Sequence, residues 1–219
     1  FGQAMGYRDI EKAELSLLAL CRLEGPKTAF GRLWVYGSRN SNNIGHPAIA
    51  FVQAWRTLET IGWRHAESLV QFVVQELATT KPPALYEVNR KHRSTQVHTL
   101  PLDWAGNKTD EAATVELLTI LHAGDASAAC TWAFESLKSG RVQAQAVWDA
   151  IFLGAGELMM RFNSSNQLLA RPLHTTTSMN ALHYAYRTCG DPATRLLTLL
   201  MAVDWTAGFI ATEIKRGKL

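Results

Sequence analysis

Cysteine is scarce in this chain, and the three present do not cluster. Cys21, Cys130 and Cys189 lie far apart with no C-x-x-C between them. A thiolate zinc site therefore has no support, and the odd count argues against a disulfide framework. Charge is also low, at 19% of 219 residues, while hydrophobic residues reach 47%. That balance belongs to a compact globular chain and excludes a disordered one. The net charge is +3, with one local basic cluster at Arg90-Lys91-His92-Arg93. The cluster is short and has no interleaved aromatics, whereas a nucleic-acid footprint needs a larger basic face. No nucleic-acid partner is expected. No apolar run approaches the length of a membrane-spanning helix, so no span is expected either. The chain also lacks H-E-x-x-H, G-x-S-x-G, Walker and G-x-G-x-x-G patterns. Glycine-rich nucleotide binding and α/β-hydrolase chemistry are disfavoured on that ground. The E-x-x-H pair that marks di-iron carboxylate bundles is missing too.

Strand signals are equally absent, since no segment sustains period-two alternation. What is present is helical spacing. Residues 9–24 form a helix in which Asp9 is the N-cap and Ile10, Ala13, Leu17, Leu20 and Cys21 make the buried stripe. Gly25-Pro26 ends it. Residues 27–36 are short and helical, followed by a Gly/Ser/Asn loop over 37–45. Further helices are expected over 46–61, 64–79, 85–93, 111–121, 126–138, 141–162, 174–188 and 193–215. Lys81-Pro82-Pro83 breaks the helix before it, residues 94–108 show no periodicity, and residues 100–104 read as an extended excursion that packs on the surface. Residues 163–171 read as a polar loop, and the basic tail after Lys215 as a frayed end. The fold class is all-α: an irregular bundle of about eight helices in one domain spanning 1–219. Because the first residue is Phe1, the chain reads as the C-terminal part of a longer one. It is expected in the cytoplasm, or exported after loss of an N-terminal segment.

The densest stretch for chemistry is GHPAIAFVQAWRTLETIGWRHAE, residues 45–67. Two helices open there in succession, each after a glycine and each with a histidine in its first turn, His46 and His65. Neutral imidazole is the commonest metal ligand, and the positive end of a helix disfavours the protonated ring. His174 opens a later helix in the same manner, beside Thr175, Thr176 and Thr177, which could orient it or cap the helix. His183 lies on the opposite side of that helix and reads as structural. His122, at a helix end, is a fourth candidate. Glu157 sits in an apolar helix between Phe152, Leu153, Leu158 and Met159 and needs a cation or a metal. Its alternative role is an ion pair with Arg161, Arg56 or Arg64. Gly154 and Gly156 beside it permit a close approach to the backbone.

The runs GHPAIAFVQAWRTLETIGWRHAESLV, AVWDAIFLGAGELMMRF and LHTTTSMNALHYAYR resemble bacterial relatives of the questin oxidase-like family. That resemblance covers most of residues 30–205. It implies an all-α fold, a His-rich non-haem iron site, and oxidation of anthraquinone-type polyketides. It carries His46, His65 and His174 as metal ligands. The resulting expectation is an iron-dependent oxidoreductase that acts with O₂ on an aromatic or quinone-type small molecule. His46, His65, His174 and His122 would bind the metal, with Glu157 and Tyr36 in catalytic roles. Trp34, Tyr36, Trp55 and Trp63 would wall the substrate. Association with a preceding segment or another subunit would complete the site. Two other readings remain open: a non-catalytic helical binding or scaffold module, and a zinc-dependent hydrolase using the same histidines.

Overall fold

The computed structural model describes residues 1–39, 43–79, 81–161 and 170–215. Among them there are helices and turns and no strand, so the all-α class holds. Several short helices raise the number of elements above the eight expected. The contacts divide the chain into two compact units, Phe1–Pro83 and Ala84–Leu219.

In the first unit, α1 (Gly2–Tyr7), α2 (Ile10–Glu24), α3 (Pro26–Gly31) and α4 (Trp34–Gly37) precede α5 (His46–Ile61) and α6 (Val70–Ala78). Asp9 caps α2 as its sequence position requires, its carboxylate accepting from the Lys12 N–H at 3.2 Å. The helix buries Ala13, Leu17 and Cys21, and it packs on α3 and α6. Trp34, Phe51 and Trp55 interlock at ring separations of 4.6–6.3 Å and are buried in this core. The helix expected over 64–79 is split: residues Trp63–Leu69 form a tighter 3₁₀ segment before α6 begins.

In the second unit, α7 (Ala84–Val88) continues through a π-type turn (Asn89–Arg93) into a 3₁₀ segment (Ser94–Thr99). Then come α8 (Glu111–His122), α9 (Ala126–Lys138), α10 (Ala144–Met160), α11 (Ala170–Thr188) and α12 (Pro192–Lys215). The starts of α8, α9 and α12 share one device. Asp110, Asp125 and Asp191 each accept the N–H three residues on, at 2.9, 2.9 and 2.8 Å. Each satisfies a helix donor that would otherwise lack an intrahelical acceptor.

Helix α12 is the axis of this unit and packs against α8, α9, α10 and α11. Contrary to the sequence expectation, its 24 residues are long and apolar enough to cross a membrane. That apolarity has a use inside the unit, because 72% of its most hydrophobic window is buried there. A helix surrounded on most sides by others is hydrophobic nearly all round. Gly154 of α10 serves this packing: a Cβ there would stand 3.2 Å from Thr206 Cγ2 of α12. Gly156 faces no such neighbour.

Residues 94–99, expected without periodicity, form the 3₁₀ segment, and residues 102–105 turn rather than run extended; the stretch packs at Leu100 and Trp104, and Gln143 anchors it. Its amide oxygen accepts from Lys108 N at 2.9 Å and its NH₂ donates to Asp103 at 2.7 Å. The Trp104 carbonyl accepts from Ala144 N at 2.8 Å. The loop is thereby fixed to the first turn of α10. The three cysteines are all free and buried, Cys21 in the first unit and Cys130 and Cys189 in the second. The expected polar loop after Met160 and the frayed tail fall mainly outside the described residues, as do Asn40, Ser41 and Asn42 of the 37–45 loop.

Candidate functional site

The histidines singled out in the sequence divide between the two units. His46 is the first residue of α5, set there by Gly45 at φ 83°. His65 is exposed in the 3₁₀ segment and not at the start of an α-helix. His174 lies one turn into α11, which begins at Ala170. The hydroxyls of Thr175, Thr176 and Thr177 accordingly do not cap a helix start. They donate to the carbonyls of Arg171, Pro172 and Leu173, four residues back, at 2.9–3.3 Å. Among the described residues no three His, Cys, Asp or Glu side chains gather as a metal site. A mononuclear iron or zinc centre takes about three protein donors, and the described residues bring no such set together.

Two of the candidates do meet. His122, the last residue of α8, presents Nε2 to the Glu157 Oε2 of α10 in a short contact. Glu157 thus finds its partner in His122, 35 residues away, and not in Arg161, Arg56 or Arg64. The carboxylate is about one-third exposed and His122 somewhat more. The pair lines a pocket of about 340 Å³ together with Gly154, Leu158, Arg161, Ile210 and Ile214. Its walls are apolar where α12 supplies Ile210 and Ile214, and the exposed Arg161 also lines it. Both helices are held by their neighbours. The turn after His122 carries Gly124 at φ +72°, where a Cβ would stand only 2.8 Å from Ala211 Cβ of α12. Glycine alone suits that position, on grounds of both backbone angle and space. Nε2 of His122 is thus engaged by the carboxylate, and the pair sits at the pocket wall.

Tyr36 stands elsewhere. It lines a separate hollow of about 510 Å³ in the first unit with Phe1, Gly2, Ser16, Leu20, Glu24 and Arg32. The Arg39 guanidinium lies 5.2 Å from its ring. Trp34 and Trp55, expected in a substrate wall, are core residues of that unit. Trp63 stacks edge-on against Phe30 and Trp55. Glu67 of the W-R-H-A-E run is held by a bidentate pair with Arg22 at 3.0 and 2.9 Å. That bonding holds the Glu67 carboxyl below its ordinary range.

Sequence reasoning passed over Asp204. It is the lone carboxylate in the apolar run LLTLLMAVDWTAGFI of α12, and burial pushes its pKa up to about 6. An acid within a run of that kind was the available signal. Beside it Cys130 is fully buried, and desolvation drives its thiol up to about 12. His183 packs among Trp148, Phe152 and Tyr186 at 4.8–6.4 Å, and burial lowers its pKa, with the Arg187 cation adding to the effect.

No family model matches the sequence, and neither a curated protein nor a solved structure matches it.

Proposed function

We propose that the protein is a small-molecule enzyme whose reacting centre is the His122–Glu157 pair. Its chemistry is proton abstraction from an enolisable, largely apolar carbonyl compound. An aryl ketone with an α-hydrogen, or the keto tautomer of a hydroquinone, suits the apolar walls given by Leu158, Ile210 and Ile214: the α C–H bond breaks, its proton goes to the imidazole and its electron pair to the enolate oxygen. The observation that carries this reading is the contact between a helix-terminal imidazole and a carboxylate at the wall of a pocket. Glu157 fixes the orientation of the imidazole and balances the charge the ring acquires on taking a proton. Arg161 supplies positive charge where an enolate oxygen would develop. The pocket has the size and the sparse polar groups of a small-ligand site.

The test is exchange of carbon-bound hydrogen for solvent deuterium, followed by NMR on a panel of aryl ketones and hydroquinone tautomers. His122→Ala and Glu157→Gln should each slow exchange by roughly 10²–10⁴-fold while leaving the helical circular dichroism unchanged. Exchange at the wild-type rate in His122→Ala refutes the reading. Metal quantification on the same samples addresses the oxygenase reading implied by the sequence resemblance. Stoichiometric iron or zinc that is lost in His122→Ala would make the pair two of the ligands and not an acid–base dyad.

A further inference from the structure

A second pocket in the same unit has the opposite character. It measures about 410 Å³ and is lined by loop residues Gly106 and Asn107, the first turn of α10, Trp148, His183 and Tyr186 on α10 and α11, and two arginines, Arg187 and Arg195. No carboxylate lines it. The acids nearest in sequence do not line it: Asp149 accepts from the amide of the lining residue Gln145 at 2.7 Å, Asp103 from Gln143, and Asp191 from Thr194 at the start of α12. Arg187 forms no ion pair among the described residues and is exposed. Arg195 uses Nε to donate to the Tyr186 carbonyl at 3.0 Å and lies 4.6 Å from the Tyr186 ring centre. Those contacts, together with the Trp104 ring 5.9 Å away, fix the guanidinium plane at the pocket wall. This differs from Arg22, Arg32 and Arg141, each of which is neutralised by a glutamate.

Three further features point the same way. Ala144 and Gln145 place the N-terminal turn of the 17-residue α10 against the pocket; the Ala144 N–H is already given to the Trp104 carbonyl, so the helix contributes there through its dipole. Trp148, on the pocket wall, is buried, and its indole N–H, like those of Trp55 and Trp205, has no acceptor among the described residues. His183 is held toward its neutral form by burial, so it can donate or accept a hydrogen bond without adding charge. Two guanidinium charges match a dianion better than a single carboxylate, and guanidinium geometry suits phosphate oxygens. The remaining wall is aromatic.

We infer that this pocket binds a small organic phosphate monoester, with the phosphate held by Arg187 and Arg195 and the organic part against Trp148 and Tyr186. It is independent of the His122–Glu157 pair and shares no lining residue with that pocket.

The experiment is calorimetric titration of the full chain with phenyl phosphate, phenol and inorganic phosphate, for the wild type and for Arg187→Met, Arg195→Gln and His122→Ala. The expected result is saturable binding of phenyl phosphate with a Kd below about 1 mM. Each arginine variant should weaken it at least tenfold, the scale of one charge-assisted hydrogen bond. His122→Ala should bind as the wild type does, so failure of the proton-transfer reading leaves this result unaffected. Arg187 is exposed, so its replacement leaves the fold intact and its result stands alone if Arg195→Gln is unstable. Undetectable binding of phenyl phosphate, or wild-type affinity in Arg187→Met, overturns the inference. Equal affinity for phenol also overturns it, by removing the phosphate from recognition. Inorganic phosphate binding as tightly as phenyl phosphate would overturn the assignment to an ester.

Discussion

Asp204→Asn should stabilise the protein at neutral pH and leave it nearly unchanged in acid. The carboxyl group lies on α12 between Val203 and Trp205, and burial alone raises its pKa from 3.8 to about 6. A native pKa above the unfolded one means that the folded chain holds the proton more tightly. The stabilisation from that proton is fully present below about pH 4 and is lost as pH rises through 6. The difference between 3.8 and about 6 corresponds to ~3 kcal/mol at pH 7 and above. This is an upper figure, because the side chain retains some contact with solvent. Asparagine has nearly the same shape and no charge to desolvate. Urea unfolding of both proteins from pH 4 to 8 measures the effect. The gap in favour of Asp204→Asn should open between pH 4 and 6 and then level off. A gap that is constant with pH, or one that favours the wild type at pH 8, would refute the reasoning. It would mean that a cation compensates the ionised carboxylate.

Gly124→Ala should destabilise by about 2–4 kcal/mol in thermal or urea unfolding, because a left-handed backbone angle and a Cβ against Ala211 act together. Gly106→Ala would drive its new methyl into the Gln143 amide, which carries the bonds to Lys108 and Asp103. It should remove about 1–2 kcal/mol and speed proteolysis within 101–108. Leu117→Ala, at a fully buried position of α8, should lower stability by about 2–5 kcal/mol. Glu116→Ala, by contrast, removes an exposed pair with Arg141 and should change stability by less than ~1 kcal/mol in the same assay.

Helices were legible in the sequence wherever local rules decide them. Asp9 announces a start and Gly25-Pro26 a stop, because capping depends on residues within one turn. The helix over 126–138 matches to the residue. The split of 64–79 into a 3₁₀ segment and α6 was not legible, since apolar spacing is similar in both. The partner of Glu157 was also hidden. Local reasoning favours Arg161 at i+4, whereas His122 reaches the carboxylate only through the packing of α8 on α10. The roles of Trp34 and Trp55 depended likewise on which side chains close over them. Arg187 and Arg195 carried no motif at all. Their significance comes from the absence of an acid in the pocket they line, and spacing along the chain does not encode that.

The three buried thiols give each unit its own clock. A thiol of high pKa that is shielded by packed side chains reacts with an alkylating reagent only during an opening of the surrounding structure. Cys21 therefore times opening in residues 1–83, and Cys130 and Cys189 time it in residues 84–219. Modification rates followed by mass spectrometry would show whether one half of the chain unzips before the other. Cys130, on α9 and bonded through sulfur to the Leu200 carbonyl of α12, should be the last to react, since exposing it requires the central helix to let go.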